Sequence, residues 1–267
     1  MSKPRNPGSL LFSLAAVALG LLAPSAASAH KNPVLHVGYD YESCYIDLHP
    51  ELTAGQFKGF AREFADAGAF VPMAGARSLA PWKVGLGLTF NQTFIDDSKP
   101  EWNNTFSHPG EDHWLGKPVL PILQARIGLP RALETELMLT GDPEANWAVV
   151  AAALRAPLLD ETAELPLSAS LRLGYMHLLG ADELDLDAVS MESLVSKTLG
   201  AFTPYVGLGG VASHASEHTD ELSLGSTTAF SARATVGLEV ALGRFRIAGQ
   251  GMLASVNSVA LMLGGVI

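Results

Sequence analysis

The stretch from Trp82 to Phe94 reads Trp-Lys-Val-Gly-Leu-Gly-Leu-Thr-Phe-Asn-Gln-Thr-Phe, with apolar residues at almost every second position. This alternation is the period of a β-strand, because successive side chains of a strand point to opposite faces of the sheet. The same pattern returns in residues 165–179, 230–242 and 257–267. The sequence therefore predicts a chain built mainly from amphipathic strands.

The start of the chain has the pattern of an export signal. Two basic residues precede an apolar run at residues 10–23, and residues 27–29 read Ala-Ser-Ala, the small-x-small pattern of a cleavage site. A helix that spans a membrane needs about 20 apolar residues, which is longer than this run. We therefore expect residues 1–29 to be a cleaved signal peptide and the mature chain to begin at His30.

Composition narrows the class of protein further. Hydrophobic residues make up 48% of the chain and charged residues only 16%, yet no run after the signal is long enough for a membrane helix. An apolar exported chain without such a helix can satisfy its backbone in lipid only by closing a sheet. The sequence thus predicts an all-β protein, an antiparallel transmembrane β-barrel of the Gram-negative outer membrane. Without the signal the formal net charge is −12, which argues against nucleic acid as a partner.

About ten strands are predicted, within a range of 8 to 12, because each alternating run has the length of a tilted membrane strand. We divide the mature chain into an N-terminal helical plug or periplasmic segment at residues 30–81 and a barrel at residues 82–267. The predicted strands lie near residues 82–95, 119–129, 133–141, 146–156, 165–179, 189–199, 202–213, 228–242, 244–254 and 257–267.

The connections between these strands indicate which end of the barrel faces outward. Residues 96–118 and 214–227 form long connections that follow odd-numbered strands, whereas residues 130–132 and 200–201 form tight ones that follow even-numbered strands. Barrels of this class have longer extracellular loops and short periplasmic turns. The first strand is therefore expected to run outward.

Charged residues on the polar face of the strands are few and nearly balanced. A three-residue turn at residues 130–132 would set Gly128 opposite Glu134 and Arg126 opposite Glu136, and an arginine beside two carboxylates is well suited to a charge-assisted pair. The inward charges act either as a selectivity constriction or as a salt-bridge network that fills the interior, and we favour the network because a narrow barrel has little free lumen. The predicted lumen charge network comprises Lys83, Arg126, Glu134, Glu136, Arg172, Glu192, Arg233, Glu239 and Arg246.

A helix is predicted ahead of the barrel, from Ala54 to about Ala67. Thr53 is placed as its N-cap and Gln56 completes a capping box. Its apolar stripe is expected to pack rather than bind a cofactor, and three locations stay open: a plug in the barrel mouth, the membrane–water boundary, or a periplasmic subdomain with residues 34–48. We favour the plug or mouth-capping helix. The stripe is built on Phe57, Phe60 and Phe64.

Two histidine-containing clusters invite a metal interpretation. Residues 214–218 match the H-x-x-E-H pattern of one class of zinc peptidase, and residues 108–113 hold two more histidines with two acidic residues. The peptidase needs both histidines on one helix face, whereas both clusters fall in predicted loops between strands. We expect no metal site, no catalytic residue and no cofactor. Bridging of acidic loops to lipopolysaccharide by divalent ions is the better functional hypothesis, and a solvated loop better still.

A resemblance is carried by four stretches of the sequence: Leu52–Phe64, Ile127-Gly128-Leu129-Pro130, Ser190–Lys197 and Thr203–Gly209. They resemble a family of uncharacterised outer-membrane β-barrel proteins of Gram-negative bacteria. The resemblance implies a barrel with an N-terminal helix and implies no activity. The chain departs from typical outer-membrane barrels at its last residue, Ile267, because such barrels end in an aromatic residue that the insertion machinery reads.

Two functions follow from these predictions. The first is a structural or surface-interaction role for an outer-membrane barrel with a narrow, self-filled lumen. The alternative is a narrow passive channel for small solutes that the N-terminal helix gates. No nucleophile and base are placed together by spacing, so an enzyme is not expected. The expected partners are outer-membrane lipid, lipopolysaccharide and, during assembly, the barrel-insertion machinery, while the oligomeric state stays open.

Overall fold

The protein is described from a computed structural model, which covers residues 45–69, 71, 74–96, 99–106, 120–141 and 147–267. The predicted signal peptide and residues 30–44 lie outside the described residues. Ten antiparallel strands form one closed barrel, in which each strand pairs with its sequence neighbours and the first pairs with the last. The prediction of a ten-stranded antiparallel barrel is confirmed. The strands are β1 Val84–Phe94, β2 Leu120–Gly128, β3 Glu134–Gly141, β4 Ala148–Leu159, β5 Ser168–Leu179, β6 Leu184–Ser196, β7 Phe202–Glu217, β8 Ser226–Leu242, β9 Phe245–Leu253 and β10 Asn257–Val266.

Among the described residues, helical structure is confined to three elements. Helix α1 covers Ala54–Gly68, α2 covers Pro100–Asn103 in the connection after β1, and a 3-10 turn covers Pro130–Ala132. Within the described ranges, no helix is both long and apolar enough to cross a membrane.

Alternation along the strands produces two faces of opposite character. On β8, Phe230 is 68% exposed on the outer surface, whereas the neighbouring Ser231 and Arg233 are buried inside. Large apolar side chains such as Leu208 and Val236 also point outward. A closed sheet leaves no unpaired edge, so its backbone groups are satisfied within the wall. Below its upper rim, the wall is thus apolar outside and holds charged side chains inside.

The two ends of the barrel are distinguished by their connections. We call the end that holds the connections after odd-numbered strands the upper end, and the opposite end, where β1 starts and β10 finishes, the lower end. The shortest lower turn, residues 243–244, joins β8 to β9 and has Gly243 at φ +65°, a conformation that glycine adopts without strain. The connection of residues 95–119 is the longest at the upper end.

Three strands reach further towards the upper end than their sequence patterns suggest. β6 begins at Leu184, five residues before its predicted start, while β7 continues to Glu217 and β8 begins at Ser226. Alternation persists there, because Leu184 and Ala215 are buried against the interior. The predicted loop of residues 214–227 is therefore shortened to residues 218–225, and this side of the barrel forms a taller wall.

Helix α1 forms where the sequence predicts it. The Thr53 hydroxyl accepts the backbone N–H of Gln56, and the Gln56 side chain accepts the N–H of Thr53, so the capping box is complete. The helix packs against β6, β7 and β8 inside the barrel. Its phenylalanine stripe is fully buried, while Lys58 and Arg62 are exposed. Of the three locations left open by the sequence, the helix occupies the interior.

Candidate functional site

The upper half of the interior is filled by an aromatic cluster that we call the upper core, made of Phe57, Phe60, Phe64, Trp102, Phe106 and Trp147. The ring of Phe60 is the centre of this cluster: its centroid lies 5.1 Å from that of Trp102 and 5.3 Å from that of Phe64. Trp102 stacks on Phe106 with an interplanar angle of 6°. These separations are those of favourable aromatic pairs. The upper core therefore ties α1 to the connection between β1 and β2.

Two buried carboxylates anchor α1 beside its aromatic stripe. Glu63 accepts hydrogen bonds from Lys99 Nζ and Trp102 Nε1, each at 2.7 Å. Asp66 accepts the hydroxyl of Ser231 at 2.6 Å and the backbone N–H of Ser255 at 3.1 Å. The hydrogen bond to Glu63 raises the pKa of Lys99, so this lysine stays charged at neutral pH. Because buried charges require such partners, these contacts fix the rotation and depth of the helix.

The lower half of the interior contains a continuous run of alternating charges, which we call the charge ladder. Arg126 binds Glu134 through two hydrogen bonds, Nε–Oε1 at 2.8 Å and Nη2–Oε2 at 3.0 Å. Further around the wall, Arg172 Nη2 lies 2.6 Å from Glu192 Oε2. Each carboxylate of the run contacts two arginines. The order around the wall is Arg126, Glu134, Arg155, Glu136, Arg172, Glu192, Arg233.

Arg155 is the member of this ladder that sequence reasoning missed. Its side chain is 0% exposed, and its Nη2 lies 2.6 Å from Glu136 Oε1. The strand that carries it, β4, is apolar on both parities from Val149 to Ala153, so no alternation there indicated an inward face. The register between β3 and β4 would have indicated an inward Arg155, because this residue lies directly across from Glu134 on β3.

The other predicted lumen charges lie at the lower end. Glu239 and Arg246 form a partly exposed pair, with Nε and Oε1 3.2 Å apart. Lys83 is placed differently from the expectation, because it precedes the first residue of β1 and its side chain is exposed. The alternation that suggested an inward Lys83 therefore extends one residue beyond the barrel wall.

Between α1 and β1 the described residues 69, 71 and 74–82 lie in the lower interior, and we call them the strap. The carbonyl of Gly75 accepts Arg155 Nη1 at 2.7 Å, and the backbone N–H of Leu79 donates to Glu134 Oε2 at 2.7 Å. A Cβ atom on Gly128 would meet the carbonyl oxygen of Ala80 at 2.1 Å, so the strap lies directly against the wall. Charge-ladder side chains thus satisfy the backbone of a segment without its own secondary structure.

The predicted histidine cluster of residues 214–218 does not converge on one point. His218 Nε2 contacts Asp185 at 2.7 Å, whereas His214 Nδ1 contacts the Thr228 hydroxyl at 3.3 Å. Glu217 instead accepts hydrogen bonds from Thr219 and Leu224. In the described part of the chain, no group of three or more His, Cys, Asp or Glu side chains could hold a metal ion. The second cluster, residues 108–113, lies outside the described residues.

Comparison with known proteins yields structural likeness at low identity. No protein-family model and no curated protein matches the chain. The N-terminal β-barrel domain of Pseudomonas aeruginosa OprF is 11% identical, with 71% of this chain and 100% of that chain covered and a TM-score of 0.35. Ail, the attachment invasion locus protein of Yersinia pestis, is 14% identical over 71% and 100%, with a TM-score of 0.31. The Acinetobacter baumannii outer membrane protein Omp33 is 7% identical over 69% and 97%, with a TM-score of 0.32.

Proposed function

We propose that this protein is an outer-membrane barrel whose interior is sealed by its own N-terminal segment, and that its role is structural or a surface interaction rather than transport. The observation that carries the proposal is the continuous filling of the interior, by the upper core above and by the charge ladder and strap below. The resemblance found in the sequence motifs supports the same location.

The outer surface supports placement in a membrane. Outward residues of β8 are apolar from Phe230 to Leu242, which spans roughly 30 Å for a strand tilted by about 40°. Directly above this band, a row of polar side chains crosses four neighbouring strands on the outer face. This row marks the upper boundary of the hydrocarbon layer. It consists of His177, Asp187, His214 and Thr228.

The orientation follows from the connections. Both ends of the barrel wall, Val84 and Val266, lie at the lower end, and the longest connection lies at the upper end. Single-chain bacterial barrels place long loops outside and short turns in the periplasm. The upper end therefore faces outward, where lipopolysaccharide is the neighbouring lipid, and the insertion machinery acts on the chain from the periplasm.

A sealed interior explains why charges can be retained in a narrow barrel. Isolated buried charges are strongly unfavourable, but each carboxylate of the ladder is held between arginines. Such a network occupies the volume that a conducting pore would need for water. A passive channel gated by α1 would require both the aromatic contacts of the upper core and the ion pairs of the charge ladder to open before a solute could pass.

Cell fractionation with heat-modifiable gel migration tests the location. We expect the protein in the outer-membrane fraction, with an unheated species that migrates faster than the heated one. A soluble periplasmic product without a heat shift would remove the barrel proposal.

Planar-bilayer recording tests the sealed lumen. The full mature chain is expected to produce no steady unit current. The double variant Phe60→Ala/Arg155→Ala, which weakens the upper core and the ladder together, is expected to produce current, while Lys58→Ala/Arg244→Ala, at two exposed positions, stays silent. Steady unit currents from the unmodified protein would establish the channel instead.

A further inference from the structure

We propose that residues 45–53, which precede α1, are displayed at the cell surface, and that the chain reaches β1 by crossing the membrane inside its own barrel. The proposal rests on the outward orientation of the upper end that is proposed above. It adds an eleventh crossing, formed by the strap below α1, to the ten crossings of the wall.

The first described residues lie at the upper end. The backbone N–H of Leu48 donates to Glu183 Oε2 at 2.7 Å, in the connection between β5 and β6. The N–H of Asp47 donates to the carbonyl of Thr105 at 3.0 Å, and Ile46 forms a bridge with Phe106, both in the connection after β1. Two separate upper connections therefore hold the segment that precedes the helix.

Helix α1 then points from the upper rim into the barrel. Residues 53–55 at its start are exposed, whereas residues 63–66 near its end are buried. A Cβ atom on Gly68, the last helical residue, would lie 3.4 Å from Met176 and 3.6 Å from Val149, which are inward residues of the wall. Met176 and Val149 lie near the upper ends of β5 and β4, so the helix ends just inside the upper rim and the strap makes most of the descent.

The strap continues in the same direction. Gln124 Nε2 donates to the carbonyl of Val71 at 3.1 Å, and Ser196 Oγ, in the last residue of β6, accepts the N–H of Ala76 at 2.8 Å. The N–H of Trp82 then donates to the carbonyl of Gly128, the last residue of β2, at 2.7 Å. The contacts follow the order of the chain from the upper end to the lower rim, so the path is a single crossing.

The contacts along this path indicate a built passage rather than a loosely placed tail. Buried side chains from four strands, Gln124, Glu134, Arg155 and Ser196, each bind a backbone group of the strap. A segment packed in the periplasm would satisfy these groups with water. The interior wall is therefore complementary to the strap, and residues 45–53 ahead of α1 are held above the membrane.

Labelling of intact cells with a membrane-impermeant maleimide tests this inference. Four exposed residues are replaced one at a time in a Cys44→Ser background, which removes the only cysteine. Glu51→Cys reports on the N-terminal segment, Asp220→Cys on an upper connection and Glu164→Cys on a lower one. Asp47→Cys provides a second report on the N-terminal segment.

We expect Glu51→Cys, Asp47→Cys and Asp220→Cys to react in intact cells, and Glu164→Cys to react only after the outer membrane is permeabilised. Reaction of both N-terminal cysteines only after permeabilisation, while Asp220→Cys reacts in intact cells, would overturn the surface display and leave the barrel orientation standing. Reaction of Glu164→Cys in intact cells with a silent Asp220→Cys would instead overturn the orientation of the barrel.

Discussion

The upper and lower halves of the barrel interior are filled by different chemistry. The upper half is an aromatic core in which the decisive side chains, Phe57, Phe60 and Phe64, come from an inserted helix. The lower half is an ionic ladder in which all the charged side chains come from the wall. One closed sheet can therefore be filled either by side chains from an inserted helix or by side chains from its own wall. We expect the two halves to respond differently to mutation.

The largest effect is expected for Phe60→Ala in the upper half. Its ring contacts three other aromatic rings, so the truncation leaves a cavity and should lower the free energy of unfolding by roughly 4–5 kcal/mol. Denaturant unfolding of the refolded barrel measures the change, and limited proteolysis shows whether α1 is released while the wall persists. Lys58→Ala, on the exposed side of the same helix, is the control. Equal stability of the two variants would mean that α1 contributes little to the upper half.

Arg155→Ala addresses the lower half, with an expected loss of roughly 3–4 kcal/mol. The change leaves Glu134 and Glu136 with one arginine each and removes the hydrogen bond to the strap at Gly75. The same denaturant measurement applies, with the exposed Arg244→Ala as its control. A loss no larger than that of the control would show that the ladder holds the wall without Arg155.

Gly128→Ala tests the fit between the strap and the wall. The added methyl group overlaps the Ala80 carbonyl, so the strap has to shift, and we expect a loss of roughly 1–3 kcal/mol. Faster proteolysis within residues 74–82 would report the shift. Gly249→Ala, also within a strand but with open space around the new methyl group, should change neither quantity. An unchanged Gly128→Ala variant would place the strap away from the wall.

Thr53→Ala should produce the smallest effect, roughly 1 kcal/mol, because it removes only the N-cap of α1. The expected site of the change is the first turn, measured as faster amide hydrogen exchange at residues 54–57. Thr53→Ser keeps the capping oxygen and should exchange at the original rate. Equal exchange in both variants would show that packing alone holds the first turn.

Much of the wall could be predicted from sequence because strand alternation is local. The period of two in β5 and β8 identified both faces, and the turn at residues 130–132 placed Arg126 and Glu136 in register, as observed. Local patterns failed where both parities were apolar, which hid Arg155. Local patterns also placed Lys83 on the inward face, although it lies just before β1. Alternation along a chain does not show at which residue a strand begins.

The filling of the interior was less predictable, because it depends on contacts distant in sequence. The stripe of Phe57, Phe60 and Phe64 specifies an apolar partner but not which one, so a plug and a periplasmic helix have the same pattern. The strap has no periodicity at all, and its partners Glu134 and Ser196 lie 55 and 120 residues away in sequence. The polar groups that bind the strap belong to the wall strands. The alternation of those strands is the same whether or not a segment lies inside the barrel.

The seam between β1 and β10 joins Gly85, the second residue of the first strand, to Val266, the last residue of the last strand. Because β1 begins at the lower rim directly after the strap, the strand that closes the cylinder is tethered to the segment that fills it. We therefore expect assembly to have an order: the helix and strap lie against the open sheet first, and pairing of β1 with β10 then encloses them. In this order of assembly the barrel closes around α1 and the strap, and neither has to enter a barrel that is already closed.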